Sequence, residues 1–295
     1  MKLGIIGGSG LYDLPGLRTK GEEMPETPFG PPSDVFVHGE LEGVEVYFLP
    51  RHGRGHRIMP SEINHRANIF GMKVLGVDRI VSVSAVGSLK EDLHPRDIVL
   101  VDQYFDRTRR PAEHTFFGNG IVGHIPFSDP SCPELRALLA GAARRAVART
   151  ASASDVQIHE WGTYVNMEGP AFSTRAESEV YRRLGFDVIG MTSLAEAKLS
   201  REAEICYQVL AMVTDYDCWH ESEDAVTVEM IMEHVQANTA LAREVICELA
   251  PRLPAGRACE CGHALANAVI TRPDAIRAER IEVLKPIVGK YLGSS

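Results

Sequence analysis

Short apolar runs alternate with segments of helical period along most of this chain, and that alternation limits the folds open to it. Leu3–Ile6 reads as a buried strand, and Val35–His38 with Val44–Leu49 as a hairpin about Glu42-Gly43. Ser61 can cap a helix carrying Ile63, Ala67, Phe70 and Val74 on one face, with Gly76 as its stop. Arg79–Ser84 and Ile98–Val101 are strands, and Glu134–Ala148 repeats apolar residues at helical spacing. Thr174–Leu184 is a helix ended by Gly185, Val188–Met191 a strand, Leu194–Glu204 a helix and Ile205–Thr214 a strand. Thr227–Leu249 is a long helix with Val228, Ile231, Val235, Ala242 and Val245 facing inward. Such a pattern predicts an α/β sheet flanked by helices, where ligands gather at the carboxyl ends of strands.

The 295 residues are 44% hydrophobic and 24% charged, enough for a large core. No Gly/Ser tract or charge block marks a linker, so one domain over residues 1–295 is expected. The net charge of −9, without basic patches interleaved with aromatics, argues against nucleic acid as a partner. No apolar stretch has the length of a membrane span, and the apolar part of the N-terminus runs at once into Gly7-Gly8. A soluble, cytoplasmic protein is expected, with no membrane partner.

The most informative stretch is Val209–Thr214 followed by Asp215-Tyr216-Asp217. Alternate residues of a strand point the same way, so the two acids leave the sheet together, roughly 7 Å apart. Two carboxylates that close, in a dry site, hold one proton between them near neutral pH. A protonated carboxyl donates and an ionised one accepts, which matches N7 and N6 of adenine. On the fragment alone, two unrelated acids at a solvated strand end would read the same.

Polar, glycine-rich segments follow other strand ends. Gly7-Gly8-Ser9-Gly10 departs from a dinucleotide fingerprint, because Asp13 stands where the third glycine belongs. What remains is a tight turn with backbone N–H groups and the Ser9 hydroxyl, suited to a small anion. Arg51-His52-Gly53 adds a cationic fork and an imidazole, and Ser84-Ala85-Val86-Gly87-Ser88 a third turn. Together they suggest one phosphate cradle assembled from separate loops.

Six cysteines occur, at 132, 206, 218, 247, 259 and 261. Their spacing matches no tetrahedral zinc pattern, and Cys259-Glu260-Cys261-Gly262-His263 lacks a visible fourth ligand. Surface thiols are expected there, with a structural disulfide as the second reading. His52 and His56 sit among glycines and Pro60, in a loop rather than on a zinc helix. No metal is expected.

Several motifs occur in a familiar order. They are Ile5-Ile6-Gly7-Gly8-Ser9-Gly10-Leu11, Thr27-Pro28-Phe29-Gly30, Arg51-His52-Gly53, His56 with Met59-Pro60, Asn64, and Ala67-Asn68. Glu168-Gly169-Pro170 with Phe172-Ser173, Arg175-Ala176-Glu177, Met191-Thr192 and Thr214–Trp219 follow. The chain resembles the methylthioadenosine phosphorylases within the trimeric purine nucleoside phosphorylase family, over roughly its first 250 residues in the spirit of a motif match. The resemblance implies a mixed twisted sheet flanked by helices, a homotrimer, and phosphorolysis of a purine nucleoside with phosphate as co-substrate and no cofactor. By resemblance Ser9, Arg51, His52, Ser84, Ala85 and Thr192 hold phosphate, and Met191 lies against the ribose. Phe172, Ser173 and Val86-Gly87 line the base. Asp215 and Asp217 read N7 and N6 and, with His52, form the catalytic group. Val228, Ile231 and His56 lie toward the 5′ substituent, and His124 reaches a neighbouring subunit's site.

On residue type alone His124 reads better as a packed loop histidine, and Val228 and Met191 can be plain core. From about residue 251 the chain departs from the family pattern, with the Cys-x-Cys and a helix-like Ile276–Leu284 interrupted by Pro286. A broader adenosine or 6-oxopurine nucleoside phosphorylase, or a non-catalytic purine-binding protein, are the alternative readings.

Overall fold

The computed structural model describes residues 1–11, 14–220 and 228–292; for Ser9, Pro111 and residues 228–232 it describes the backbone alone. The strands are β1 (Lys2–Gly7), β2 (Arg18–Glu23), β3 (Phe36–Leu41), β4 (Val44–Pro50), β5 (Arg79–Ser88), β6 (Ile98–Leu100), β7 (Gln103–Arg107), β8 (Ile158–His159), β9 (Thr163–Met167), β10 (Val188–Gly190) and β11 (Cys206–Tyr216). The helices are α1 (His65–Val74), α2 (Pro133–Arg149), α3 (Arg175–Arg183), α4 (Ser193–Glu202), α5 (Val228–Leu249), α6 (Ala278–Val283) and α7 (Lys285–Leu292).

All the strands join one mixed sheet with the path β2-β3-β4-β1-β5-β10-β9-β7, and β11, β6 and β8 continue from the other edge of β5. The β3–β4 hairpin turns on Glu42 and Gly43, both at positive φ, as a two-residue loop matching strand twist requires. Helices cover both faces. Ile69 and Phe70 of α1, Leu199 of α4 and Ile287 of α7 pack on one face against Val209, Ala211 and Val213. Leu135 and Leu139 of α2 with Leu241 and Val245 of α5 pack on the other against Leu210 and Met212. Strand β11, buried on both faces, therefore reads as a continuous apolar run.

Local chemistry sets most boundaries where the sequence expects them. Thr174 caps α3 in a capping box with Glu177, and Gly185 ends it at φ 83°. Two expectations change. Helix α1 is capped by Asn64, whose Oδ1 accepts from Ala67 N at 3.1 Å, and not by Ser61, which lies in a preceding 3-10 turn. Pro286 opens α7 in its first turn, where its missing N–H costs nothing, and does not interrupt a helix. Strands β2, β7, β8 and β9 carry no expected counterpart; β2 is almost wholly exposed, so its burial leaves no apolar pattern. No helix among the described residues is long and apolar enough to cross a membrane.

Candidate active site

Strand β5 shares one edge between two partners, and the gap between them is the site. β11 runs parallel to β5 along its whole length, from Arg79 to Ser88. The opposite edge pairs with β1 at Arg79–Ser82 and with antiparallel β10 at Gly87–Ser88. Residues 83–86 face the opening where β1 leaves and β10 arrives, a switch in strand order of the kind at which α/β sheets bind ligands. A cleft of about 390 Å³ lies here. It is lined by Arg51, His52, His56, Ser84, Ala85, Val86, Gly87, Phe172, Met191, Thr192, Asp215 and Asp217 among others.

One wall is a buried charge network. Arg51 follows β4 and is held against the end of β1, its N–H donating to Gly7 O at 2.9 Å. Its Nε donates to Glu196 Oε1 at 2.5 Å, Nη2 to Ser82 Oγ at 2.5 Å and Nη1 to Val83 O at 3.2 Å. Glu196 also accepts from Ser82 Oγ at 2.6 Å and Tyr207 OH at 2.9 Å. Burial is the largest influence and by itself would raise the Glu196 carboxyl, but the Arg51 charge and hydrogen bond, with help from His65 and Ser82, together outweigh it and the group ends below the usual carboxylate range. Arg51 is thus a fixed cation at the cleft wall, positioned before any ligand arrives. Thr192 lies at the N-terminus of α4, whose second residue, Leu194, donates its N–H to Asn166 Oδ1 at 3.0 Å. Asn166 Nδ2 donates to Met191 O at 3.3 Å, so one side chain fixes both Met191 and the helix end. A helix N-terminus beside a buried arginine suits an anion.

His52 is pushed down to about 4, by burial first and the Arg51 charge second. It is therefore neutral near pH 7. Its Nδ1 lies 2.8 Å from Ile58 O, an acceptor only, so the proton sits on Nδ1 and Nε2 is left to accept. Its ring stacks on His56 with centroids 4.5 Å apart.

The other wall is the end of β11. A bulge at Thr214 shifts the register between Val213 and Asp215, bringing Asp215 opposite Gly87. Gly87 lets the acids approach closely: a Cβ there would crowd Asp215 Oδ1 at 3.2 Å and touch Asp217 Cβ at 3.4 Å. Thr214 Oγ1 donates to Asp215 Oδ2 at 2.6 Å, and burial pushes the Asp217 carboxyl up. The strand end is braced from α5, where His234 Nδ1 donates to Thr214 O at 2.7 Å and Asn238 Nδ2 to Val213 O at 2.9 Å. Gly169, at φ 69°, is needed for a second close approach, since a Cβ there would fall 2.6 Å from Met191 Sδ.

Most of the expected site residues meet in this cleft, and the others divide. Ser173 turns away from the wall because it leads into the α3 cap; its hydroxyl approaches Met167 Sδ at 3.8 Å, and Met167 lines the cleft instead. His124 is exposed and away from the cleft, its N–H donating to Ala268 O at 2.8 Å. The side chains of Ser9, Val228 and Ile231 lie outside the described residues. Val235, four residues past Ile231, does line the cleft. Sequence reasoning missed Glu196 and Ser82. A lone acid among apolar residues in Leu194-Ala195-Glu196-Ala197 was the available signal for the first.

A family model described as the phosphorylase superfamily matches residues 2–251. The chain belongs to the phosphorylase superfamily. An S-methyl-5′-thioadenosine phosphorylase of Geobacter sulfurreducens is 54% identical over 290 residues, which are 98% of this chain and 99% of that one. Its counterpart in Thermosynechococcus vestitus is 53% identical over 292 residues, 99% of each chain. Among solved structures, a methylthioadenosine phosphorylase from an antarctic soil metagenomic library aligns with a TM-score of 0.90 at 46% identity, covering 97% of this chain and 98% of that one. The Schistosoma mansoni methylthioadenosine phosphorylase in complex with adenine aligns with a TM-score of 0.81 at 38% identity, over 90% and 96% of the two chains.

The resemblance carried by the motifs therefore holds for this phosphorylase. The departure expected from about residue 251 coincides with the end of the superfamily match. The alignments with the two relatives nevertheless extend over 98% and 99% of the chain. The expectation for the cysteines is corrected. Cys261 is buried and Cys259 half-buried, and neither forms a disulfide.

Proposed function

We propose that this chain catalyses phosphorolysis of 5′-methylthioadenosine to adenine and 5-methylthioribose 1-phosphate. One observation carries the reading: a single cleft is lined by Arg51, His52, Ser84 and Thr192 together with Asp215 and Asp217. Phosphate is the co-substrate, held by Arg51, Ser84, Thr192, Ser9 and the backbone at Ala85, and no cofactor takes part. Methionine 191 lies under the ribose and Phe172 on the base. A phosphate oxygen bonds to C1′ as the C1′–N9 bond breaks. The electron pair of that bond goes to the purine, and a proton from the acid pair arrives at N7. The phosphate charge stabilises the positive sugar, and general acid catalysis at N7 contributes typically about 10²–10⁴-fold. His52, neutral with Nε2 open, accepts a hydrogen bond from a ribose hydroxyl or a protonated phosphate oxygen.

The reading includes a homotrimer working in the cytoplasm. His124 is exposed on the isolated chain, which suits a residue that completes a neighbouring copy's site. The 5′ end of the substrate lies toward His56, Val235 and the start of α5, where Val228 and Ile231 stand. An apolar pocket there favours a thioether over a hydroxyl.

The test is phosphate-dependent release of base from methylthioadenosine, adenosine and inosine. Methylthioadenosine is expected to have the highest kcat/KM, with a sugar 1-phosphate as product. Equal turnover without phosphate would make the protein a hydrolase. Adenosine equal to methylthioadenosine, or inosine above both, would make it a broader purine nucleoside phosphorylase.

A further inference from the structure

The four cysteines that the catalytic reading leaves unused converge at the opposite end of β11 from the acids. Cys132 caps α2, Cys206 opens β11, and Cys259 and Cys261 belong to the tail that follows α5. Their sulfur atoms all lie within 4.8 Å of one another, and Cys206 Sγ and Cys259 Sγ are 3.3 Å apart. All four are free thiols. A zinc ion bound tetrahedrally through Zn–S bonds of about 2.3 Å keeps its sulfurs ~3.8 Å apart, inside the range spanned by this cluster.

Cys132, Cys206 and Cys261 belong to the hydrophobic cluster under α2 and α5, with Cys259 packed against it, but core packing does not account for the polar groups organised around the Cys-x-Cys turn. Leu135 N–H points at Cys132 Sγ at 3.4 Å from the first turn of α2, a donor that favours a thiolate. Glu134 of the same turn accepts from Ala258 N at 2.7 Å and Cys259 N at 3.0 Å, fixing the Cys-x-Cys turn on the helix. Two arginines flank the turn. Arg79, 1% exposed, donates to Gly256 O at 2.5 Å, and Arg257 donates to Glu204 O at 2.7 Å. Four thiolates on a divalent cation leave two negative charges; the Arg257 guanidinium faces Cys206 and offsets part of them, while Arg79 is already paired with Asp78 at 3.3 Å and Glu134 at 3.6 Å.

We propose that Cys132, Cys206, Cys259 and Cys261 form a closed tetrathiolate site for zinc or a similar soft divalent metal. Each metal–sulfur bond replaces an S–H bond, and the thiol proton goes to solvent. Four protein ligands leave no open position for a substrate, so the metal is structural. Cys206 and Asp215 are separated by roughly 30 Å of strand at about 3.3 Å per residue, which also keeps the metal out of the reaction. The site staples the tail beyond residue 251 to α2 and β11.

The full chain, reduced and incubated with Zn²⁺, then desalted, is expected to retain about one zinc per protomer by elemental analysis. Cobalt(II) in place of zinc should give thiolate charge-transfer and tetrahedral d–d absorption. Cys259→Ser/Cys261→Ser should retain less than a tenth of the metal, whereas Cys247→Ser, outside the cluster, should retain all of it. A chelator strong enough to strip zinc should lower the Tm of the wild type. If the double variant does not fold, the cobalt spectrum of the wild type decides alone. No metal retained after reconstitution overturns the proposal, as does a mass, measured on the reconstituted and desalted protein, showing the hydrogens lost in two disulfides. Equal retention by wild type and the folded double variant overturns it too.

Discussion

The two ends of β11 are built for opposite purposes. At its start Cys206 enters a knot of sulfur beside a helix cap and arginines, and of the four sulfur-bearing residues only Cys259 is partly open to solvent. At its finish a bulge turns Asp215 and Asp217 into a cleft of about 390 Å³. The difference teaches that one strand can be anchored and reactive at once, provided the anchoring is done where the chemistry is not. Burial stabilises the first end, while at the second it perturbs a carboxyl instead. The comparison makes a separable claim: changes at the acid end alter turnover, and changes to the buried anchors alter stability.

The largest expected effect is at the acid end. Asp215→Ala removes half of the pair to which we assign protonation of the leaving base, and kcat should fall about 10²–10⁴-fold on every purine substrate. Thermal denaturation of the same variant should show little change, since Asp215 is only half-buried. A Tm loss as large as that of a core variant would break the comparison.

Next is the charge network between the two ends. Glu196→Ala leaves Arg51 buried beside Ser82 without its carboxylate, and breaking a buried pair by removing one partner costs about 3–5 kcal/mol. Denaturant unfolding should report that loss. Glu196→Gln keeps the shape and removes a negative charge beside the cation, so it should lower the phosphate KM more than it changes the nucleoside KM. Equal changes in both would mean that Arg51 does not hold phosphate.

These residues differ in how far the sequence disclosed them, and the reason is distance along the chain. The acid end is legible because one local run, Val209–Asp217, carries both the strand and its two acids. Arg51-His52 and Ser84-Ala85 are legible for the same reason, as polar residues directly after apolar runs. The bulge at Thr214 is not, because a register shift depends on the partner strand. Nor are the contacts of Arg51 with Glu196 or of Cys132 and Cys206 with the Cys-x-Cys, which join segments far apart in sequence. Spacing rules find metal sites held by nearby ligands, and here three separate segments supply them. The alternation of helix and strand gave the fold class, but exposed β2 and short β8 left too little pattern to read.

A smaller effect comes from pH. His65, in the first turn of α1, is buried with Nδ1 lacking a partner, and burial pushes it down to about 3. Its ordinary value is 6.5, so between about 3 and 6.5 the unfolded chain binds the extra proton. Stability is therefore lost as pH falls through that window, at about 1.4 kcal/mol per pH unit at most from this group. His52 adds loss of the same sign below 6.5. His65→Gln should flatten the slope of unfolding free energy between pH 6.5 and pH 4 relative to wild type. Parallel curves would mean that His65 reaches water in the folded state.

The smallest expected effect is a ratio, and it tests the acid end most finely. Adenine presents an N6 donor beside the N7 acceptor, whereas hypoxanthine presents O6, a second acceptor. A carboxyl shared between Asp215 and Asp217 can accept from N6, but an ionised oxygen meeting O6 is repelled. Asparagine at 217 can turn its amide to donate to O6. A mismatched buried polar pair costs about 1–3 kcal/mol, so Asp217→Asn should move the adenosine-to-inosine ratio of kcat/KM toward inosine by roughly 10- to 100-fold. The direction of the Asp217 shift bears on the size of this change. Burial already pushes its carboxyl up, and a carboxyl that holds the proton resembles asparagine in charge, which would bring the change to the lower end of that range. Measuring the ratio at pH 6 and pH 8 separates the cases. A wild-type preference for adenine that strengthens with pH means that Asp217 reads N6 as an anion, and a ratio that neither the pH nor Asp217→Asn moves means that the pair does not read the base.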